Sequence, residues 1–138
     1  MIAFDTNMLV RLAVDDDPQQ ADLAERLLRE HRVWISRTVL LETEWVLRSR
    51  YQITAERIHA FFQLMRTSEN AELEDTESVA KALSWYGQGA DFADALHLAV
   101  CGDIELHTFD RDFCKAARSS GQVTGVRVWS REESSSDQ

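Results

Sequence analysis

Short apolar runs alternate with longer segments of helical periodicity along this chain. Apolar runs bounded by turn-forming residues predict strands at residues 2–4, 33–35, 105–109 and 126–129, with a minor strand at 71–74. Between them, apolar residues three and four apart predict helices near residues 8–14, 18–30, 39–47, 55–65, 77–87, 92–101 and 113–116. Strands that alternate with helices indicate a parallel sheet covered on both faces. The predicted fold is therefore a three-layer α/β/α domain with a central parallel sheet.

Polar residues at the helix starts support these boundaries. Asp17 before Pro18, the only proline, is a strong start signal, because proline fits the first helical position and aspartate accepts the unpaired N–H groups there. The other predicted caps are Ser36 or Thr38, Thr54, Thr76 and Asp91. The first strand is expected to be buried on both faces, since it has no polar position.

Length and composition add bounds on the class of protein. The 138 residues suffice for one core and not for two, and we expect one domain at residues 1–130 followed by a disordered tail at 131–138, which has no apolar residue. Charges interrupt the apolar runs, so no transmembrane span is expected. A strand starting at Ile2 leaves no room for a leader, and Cys101 and Cys114, without a C-x-x-C partner, fit buried thiols in a reducing cytoplasm.

The net charge of −9 argues against broad, nonspecific binding of nucleic acid through a basic surface. It does not exclude a nuclease, because the acids of a metal site would themselves supply several of these charges. Positions of individual acids therefore matter more than the total.

Acidic residues follow two of the predicted strands directly. Asp5 comes after Ile2 to Phe4, and Asp110 and Asp112 come after the strand at 105–109. In open α/β sheets, ligands bind just beyond the carboxyl ends of the strands. Each acid can hold a cation there or simply cap the following turn or helix, and for Asp5 taken alone capping is the more common outcome.

Glu42 is a third candidate, on the helix after the second strand. It precedes Trp45 and Val46 by three and four residues, so it borders their apolar face, whereas Glu44 points away and is expected to be solvated. A carboxylate on a buried stripe needs a partner. Pairing of Glu42 with Arg37 or Arg48 is as plausible as a functional role.

The most informative segment is Asp91-Phe92-Ala93-Asp94-Ala95-Leu96-His97-Leu98-Ala99. Asp91 is the predicted cap, and Asp94 lies in a helix that is apolar nearly all round, so its carboxylate requires a cavity or a partner. The helix N-terminus stabilises its charge. A plain capping box is the alternative. His97, one turn on, is expected to be packed rather than to face a site.

Together these acids predict one carboxylate cluster at one edge of the sheet. Clustered carboxylates repel one another unless a cation lies between them. Oxygen ligands without a Cys/His set favour Mg²⁺ or Mn²⁺ over Zn²⁺. Such ions commonly act on phosphates by activating water and stabilising the leaving oxygen.

Four separated motifs occur in an order that resembles a known family: Asp5-Thr6-Asn7, Val39-Leu40-Leu41-Glu42, the segment from Asp91 to Ala99, and Thr108-Phe109-Asp110-Arg111-Asp112-Phe113. This order resembles PIN-domain ribonucleases, specifically the VapC-type toxins of bacterial toxin–antitoxin pairs, over roughly residues 1 to 130.

The resemblance implies a Mg²⁺- or Mn²⁺-dependent endoribonuclease that is a homodimer, is silenced by a cognate antitoxin and cleaves RNA. By motif position, Asp5, Glu42 and Asp94 match three acids of the family. The fourth falls on Asp110, with Asp112 as the neighbouring candidate. The residues expected to orient these acids are Thr6, Asn7, Asp91 and Thr108.

Two alternatives and one further expectation remain. A PIN-like scaffold could bind RNA or protein without cutting, although all four acid positions are filled. A metal phosphatase on another doubly wound fold would have an Asp-x-Asp pair after the first strand, and Asn7 replaces the second Asp. Base stacking on RNA is possible for the tryptophans, but all four are expected in the core: Trp34, Trp45, Trp85 and Trp129.

Overall fold

A computed structural model describes residues 1–119 and 125–130. The elements are β1 (Ile2–Ala3), α1 (Thr6–Ala13), α2 (Pro18–Glu30), β2 (Val33–Ile35), α3 (Arg37–Ser49), α4 (Ala55–Thr67), β3 (Ala71–Leu73), α5 (Thr76–Gly87), α6 (Phe92–Cys101), β4 (Leu106–Thr108), α7 (Lys115–Ser119) and β5 (Val126–Val128). The alternation of parallel strands with helices confirms the predicted α/β fold class. The tail predicted at 131–138 lies outside the described residues.

All strand pairs in the described part of the chain are parallel, in two hydrogen-bonded groups. One has the order β1-β2-β3 and the other pairs β4 with β5. The first strand is not buried on both faces as predicted: Ala3 is exposed, and its register partner Trp34 is 37% exposed. Ala3 and Trp34 lie on the same face of the sheet, which is not fully covered at this point, whereas Val33 and Ile35 of β2 point to the opposite face and into the core.

Most of the predicted caps are confirmed. Asp17, Ser36, Thr54 and Asp91 each accept a hydrogen bond from a backbone N–H group in the first turn of their helix. The cap of α5 is Asp75 and not Thr76, since the Asp75 carboxylate accepts from the Ser78 N–H group. Aspartate tolerates the left-handed backbone found there, where φ is 54°, better than a β-branched residue does.

The core lies between the helices and the sheet faces. Its fully buried side chains include Leu9, Ile35, Leu40, Leu47, Ile58, Phe62, Leu83 and Phe92. Of the tryptophans, Trp85 is buried as predicted, but Trp45 is 49% exposed and Trp129 is half-buried. No helix in the described part of the chain is long and apolar enough to cross a membrane.

Candidate active site

Asp5 and Glu42 are connected through the residue that follows Asp5. The Asp5 carboxylate caps α1 by accepting from the Met8 N–H group at 3.2 Å. This fixes Thr6 as the first residue of α1, where its hydroxyl donates a hydrogen bond to the Glu42 carboxylate on α3. Both carboxylates are exposed, whereas Thr6 is buried. Asn7, the next residue of α1, is exposed, and its side chain has no hydrogen-bond partner among the described residues.

The expected exposures of Glu42 and Glu44 are reversed in the structure. The buried side of α3 carries Leu40, Thr43, Glu44 and Leu47, and Glu44 is only 4% exposed. Hydropathy placed the buried face on Trp45 and Val46 because it counts Thr43 and Glu44 as polar. The anticipated arginine partners of Glu42 also pair elsewhere: Arg37 with Glu74 and Asp75, and Arg48 with Glu44.

Glu44, Arg48 and Tyr86 form a partly buried polar network beside the start of α6. Arg48 Nε donates to the Glu44 carboxylate at 2.9 Å and the Tyr86 hydroxyl donates to it at 3.2 Å. Burial, and then the charge of Glu44, raise the pKa of the Tyr86 hydroxyl, so it stays protonated as a donor. The hydrogen bond to Glu44 raises the pKa of Arg48, and the Asp91 carboxylate adds to this rise, which indicates that the network borders the acids of α6.

Replacement of Arg48 by methionine is expected to lower the free energy of unfolding by about 2–3 kcal/mol, because the buried Glu44 carboxylate would lose its charged partner. Urea denaturation measures this. Arg50→Met is the matched control, since Arg50 lies over the exposed Trp45 ring at 5.7 Å and its loss should lower the free energy by less than about 1 kcal/mol. Equal effects of the two substitutions would contradict the role given to Arg48.

A second group of acids, Asp91, Asp94 and Asp110, surrounds the start of α6. Asp91 accepts from the Asp94 N–H group at 3.0 Å, which completes the predicted cap. The Asp94 carboxylate has no hydrogen bond or ion pair within the described residues. Partial burial raises its pKa, and the carboxylates of Asp91 and Asp110 raise it further. Burial and both neighbouring carboxylates thus disfavour the ionised form of Asp94.

The residues after β4 distinguish Asp110 from Asp112. Asp112 forms an ion pair with Lys115 at 2.7 Å, and this contact lowers the pKa of the Asp112 carboxyl. Asp110 instead interacts with Asp94. Its backbone N–H group donates to the Thr108 hydroxyl at 3.0 Å, and its carboxylate accepts from the Asp112 N–H group at 2.9 Å. These contacts hold Asp110 in a tight turn and favour it over Asp112 as the fourth acid.

His97 is exposed, so the expectation of a packed histidine is wrong. Its charge partly offsets the raised pKa of Asp94, which indicates that the ring is near that carboxylate. The sequence could not separate these cases, since α6 is buried along most of its surface but opens to solvent at His97 and Val100.

The described residues bring the candidate acids into two groups: Asp5 with Glu42 through Thr6, and Asp91 with Asp94 and Asp110. No hydrogen bond or ion pair among residues 1–119 and 125–130 joins the groups, and no three His, Cys, Asp or Glu side chains there form a preformed metal site. The donor chemistry nevertheless fits a divalent cation. Carboxylate oxygens are the ligands that hard cations prefer. A cation would also offset the repulsion between the carboxylates of Asp91, Asp94 and Asp110, of which Asp94 has no described partner.

Comparison with known proteins identifies the family of this chain. The family model of the PIN domain matches residues 2–119. Among solved structures, this chain is similar to Mycobacterium tuberculosis VapC20, a sarcin-ricin loop cleaving toxin, with 21% sequence identity over 99% of this chain and 95% of that chain and a TM-score of 0.42. No curated protein matches the chain.

Proposed function

Because this chain belongs to the PIN domain family, we propose that it is a metal-dependent endoribonuclease and the VapC-type toxin of a toxin–antitoxin pair. The observation that supports this most directly is the group formed by Asp91, Asp94 and Asp110, in which the Asp94 carboxylate has a raised pKa and no described partner. A carboxylate whose pKa is raised by burial and by neighbouring acids, with no described ion-pair partner, is a candidate for a functional site. In this proposal the PIN domain occupies residues 1–130.

We assign the cation, Mg²⁺ or Mn²⁺, to Asp5, Glu42, Asp94 and Asp110. When bound, such an ion supplies polarisation of the scissile phosphate and a lowered pKa for the attacking water. The chain's own residues hold the acids in place: Thr6 binds Glu42, Asp91 fixes the backbone of Asp94, and Thr108 fixes the turn at Asp110. Asn7, exposed beside Asp5, is assigned to orient the substrate or the acids.

The proposed partners follow from the VapC-type identity proposed for this chain. RNA is the substrate, a cognate antitoxin silences the site, and the active form is a homodimer in the cytoplasm, where cellular RNA is accessible. A small gene directly upstream that encodes a protein able to co-purify with this chain would support the antitoxin assignment.

Purified protein freed of any partner should cleave RNA from a mixed structured pool in Mg²⁺ or Mn²⁺ and should not do so in EDTA. The expected product pattern is internal cuts, because the proposed reaction is hydrolysis of phosphodiester bonds within a chain. If the wild-type protein neither cleaves RNA nor binds Mn²⁺ by calorimetry, the scaffold that binds without cutting becomes the better account.

Replacement of Thr6 by valine is expected to lower the cleavage rate by about 10- to 100-fold, because Glu42 would lose the hydroxyl that orients it. The rate is measured in Mn²⁺ at saturating RNA. Thr43→Val is the matched control on α3, since the buried Thr43 hydroxyl has no hydrogen-bond partner within the described residues. A Thr6→Val enzyme as fast as Thr43→Val would contradict the positioning role of Thr6.

A further inference from the structure

The outer face of the β4–β5 pair presents aromatic and basic side chains next to Asp110. His107 and Arg127 are register partners, and register partners in parallel strands point to the same face. Phe109 directly follows the last residue of β4, and Trp129 directly follows the last residue of β5. The Trp129 backbone N–H group donates to the Thr108 carbonyl at 2.8 Å, which keeps the two strand ends together. We call these four residues the aromatic face.

Contacts within the aromatic face hold Trp129 in place. Its indole N–H group donates to His107 Nδ1 at 2.8 Å, and the two ring centres are 5.9 Å apart at an interplanar angle of 32°. The Arg127 guanidinium lies 4.5 Å from the centre of the Trp129 ring. These contacts set the orientation of the Trp129 ring, and we call Trp129 with His107 and Arg127 the Trp129 platform.

Phe109 is the fourth residue of the aromatic face, and within the described residues it lacks the ring and guanidinium contacts that Trp129 has. Its side chain is 70% exposed, and no other ring in the described part of the chain contacts it. A single exposed phenylalanine is ordinary on a protein surface, but this one directly precedes Asp110. On the other side of Asp110, the exposed Arg111 side chain has no ion pair or hydrogen bond with the described residues.

This combination matches the chemistry of single-stranded RNA. Proteins bind unpaired bases by stacking them on aromatic rings, and they bind phosphates through arginine. In a chain with a net charge of −9, nucleic-acid affinity must come from such local contacts rather than from a general basic surface.

We propose that the aromatic face is a nucleobase-binding subsite for single-stranded RNA, in which Phe109 stacks on the base beside the phosphate to be cleaved and Arg111 binds the adjacent phosphate. The Trp129 platform would receive the next base along the strand. This inference rests on the proposed ribonuclease function, since it names how the same substrate is held.

The test is binding of a labelled single-stranded RNA of about a dozen nucleotides and mixed sequence to the full-length Asp94→Asn protein in EDTA, so that cleavage does not interfere. Adding Phe109→Ala is expected to weaken binding about tenfold, because the substitution removes one base–aromatic stack. Phe109→Trp should retain affinity, whereas Phe109→Leu should lose it despite its apolar side chain.

Two controls make the result specific. Leu64→Ala, which removes a 60% exposed apolar side chain from α4, should leave binding unchanged. An oligonucleotide of the same length with abasic positions should bind equally to the proteins with and without Phe109→Ala, because it offers phosphates without bases. Unchanged RNA binding by Phe109→Ala, or an equal loss with the abasic oligonucleotide, would overturn the inference.

The binding assay also separates this inference from the proposed function. Metal-dependent cleavage by the wild-type protein, together with RNA binding that is indifferent to Phe109, would remove the subsite and leave the nuclease. A base-dependent loss with Phe109→Ala in a protein that never cleaves RNA would leave the subsite on a non-catalytic scaffold.

Discussion

Substitution of Asp94 by asparagine is expected to reduce metal-dependent RNA cleavage by on the order of a thousandfold or more, which corresponds to about 4 kcal/mol of lost transition-state stabilisation. Asparagine keeps the size of the side chain and removes its charge. In the proposed site, this change removes the carboxylate that interacts with both Asp91 and Asp110 and that has no other described partner. Single-turnover cleavage in Mn²⁺ measures the effect.

The same variant is expected to be more stable than the wild-type protein when no metal is present. The pKa of Asp94 is raised in the folded state by burial and by its acidic neighbours. The unfolded chain therefore releases this proton at a lower pH than the folded protein does. Folding stability falls as the pH rises from the unfolded pKa through the folded one, and the penalty persists at neutral pH. The uncharged asparagine side chain would carry no such penalty, so the Tm of Asp94→Asn in EDTA at about pH 7 should be higher than that of the wild-type protein.

Asp103→Asn is the matched control for both measurements. Asp103 is an exposed aspartate in the turn at the opposite end of α6, and its replacement should change neither the cleavage rate nor Tm appreciably. A loss of cleavage that is accompanied by a large fall in the Tm of Asp94→Asn would point to a structural role for Asp94 and would contradict the assignment.

Truncation of Phe62 to alanine is expected to lower the free energy of unfolding by about 3–5 kcal/mol. Phe62 on α4 is fully buried, and its ring centre lies 5.2 Å from that of Phe92, the first residue of α6. The cavity would therefore open beneath the helix start that carries Asp91 and Asp94. Since small domains are stable by about 5–15 kcal/mol in total, the variant should be close to unfolding.

Urea denaturation of Phe62→Ala checks this expectation, with Phe62→Leu as the conservative comparison and Leu64→Ala as the control on the exposed side of α4. Phe62→Leu should lose less than half as much stability, because the smaller change in volume leaves a smaller cavity. A Phe62→Ala protein that is as stable as Leu64→Ala would show that α6 does not depend on this contact.

Features of the fold that depend on local chemistry could be predicted from the sequence. Asp17 before Pro18 and Asp91 before a buried apolar helix identify helix starts because the cap acts within one turn. Burial that depends on tertiary contacts could not be predicted from the sequence. Glu44 is buried because Arg48 and Tyr86 satisfy it; the i, i+4 spacing of Glu44 and Arg48 was visible, but the contact with Tyr86 spans 42 residues.

The candidate site shows the same division. The sequence places Asp5 and Asp110 after strands, and the structure has each of them within two residues of the end of its strand. The hydrogen bond from Thr6 to Glu42 joins α1 to α3 and has no local signature. The exposure of Phe109 and the partial exposure of Trp129 could not be predicted, because an apolar pattern does not distinguish a core strand from one whose outer face is open.

The proposed function depends on whether Asp5, Glu42, Asp94 and Asp110 hold a divalent cation. The most direct test is to titrate the metal-free protein with Mn²⁺ and to measure the free ion by electron paramagnetic resonance. We expect the wild-type and Asp103→Asn proteins to bind Mn²⁺ alike and Asp94→Asn to bind at least about tenfold more weakly. Equal binding of Mn²⁺ by the wild-type and Asp94→Asn proteins would contradict the claim.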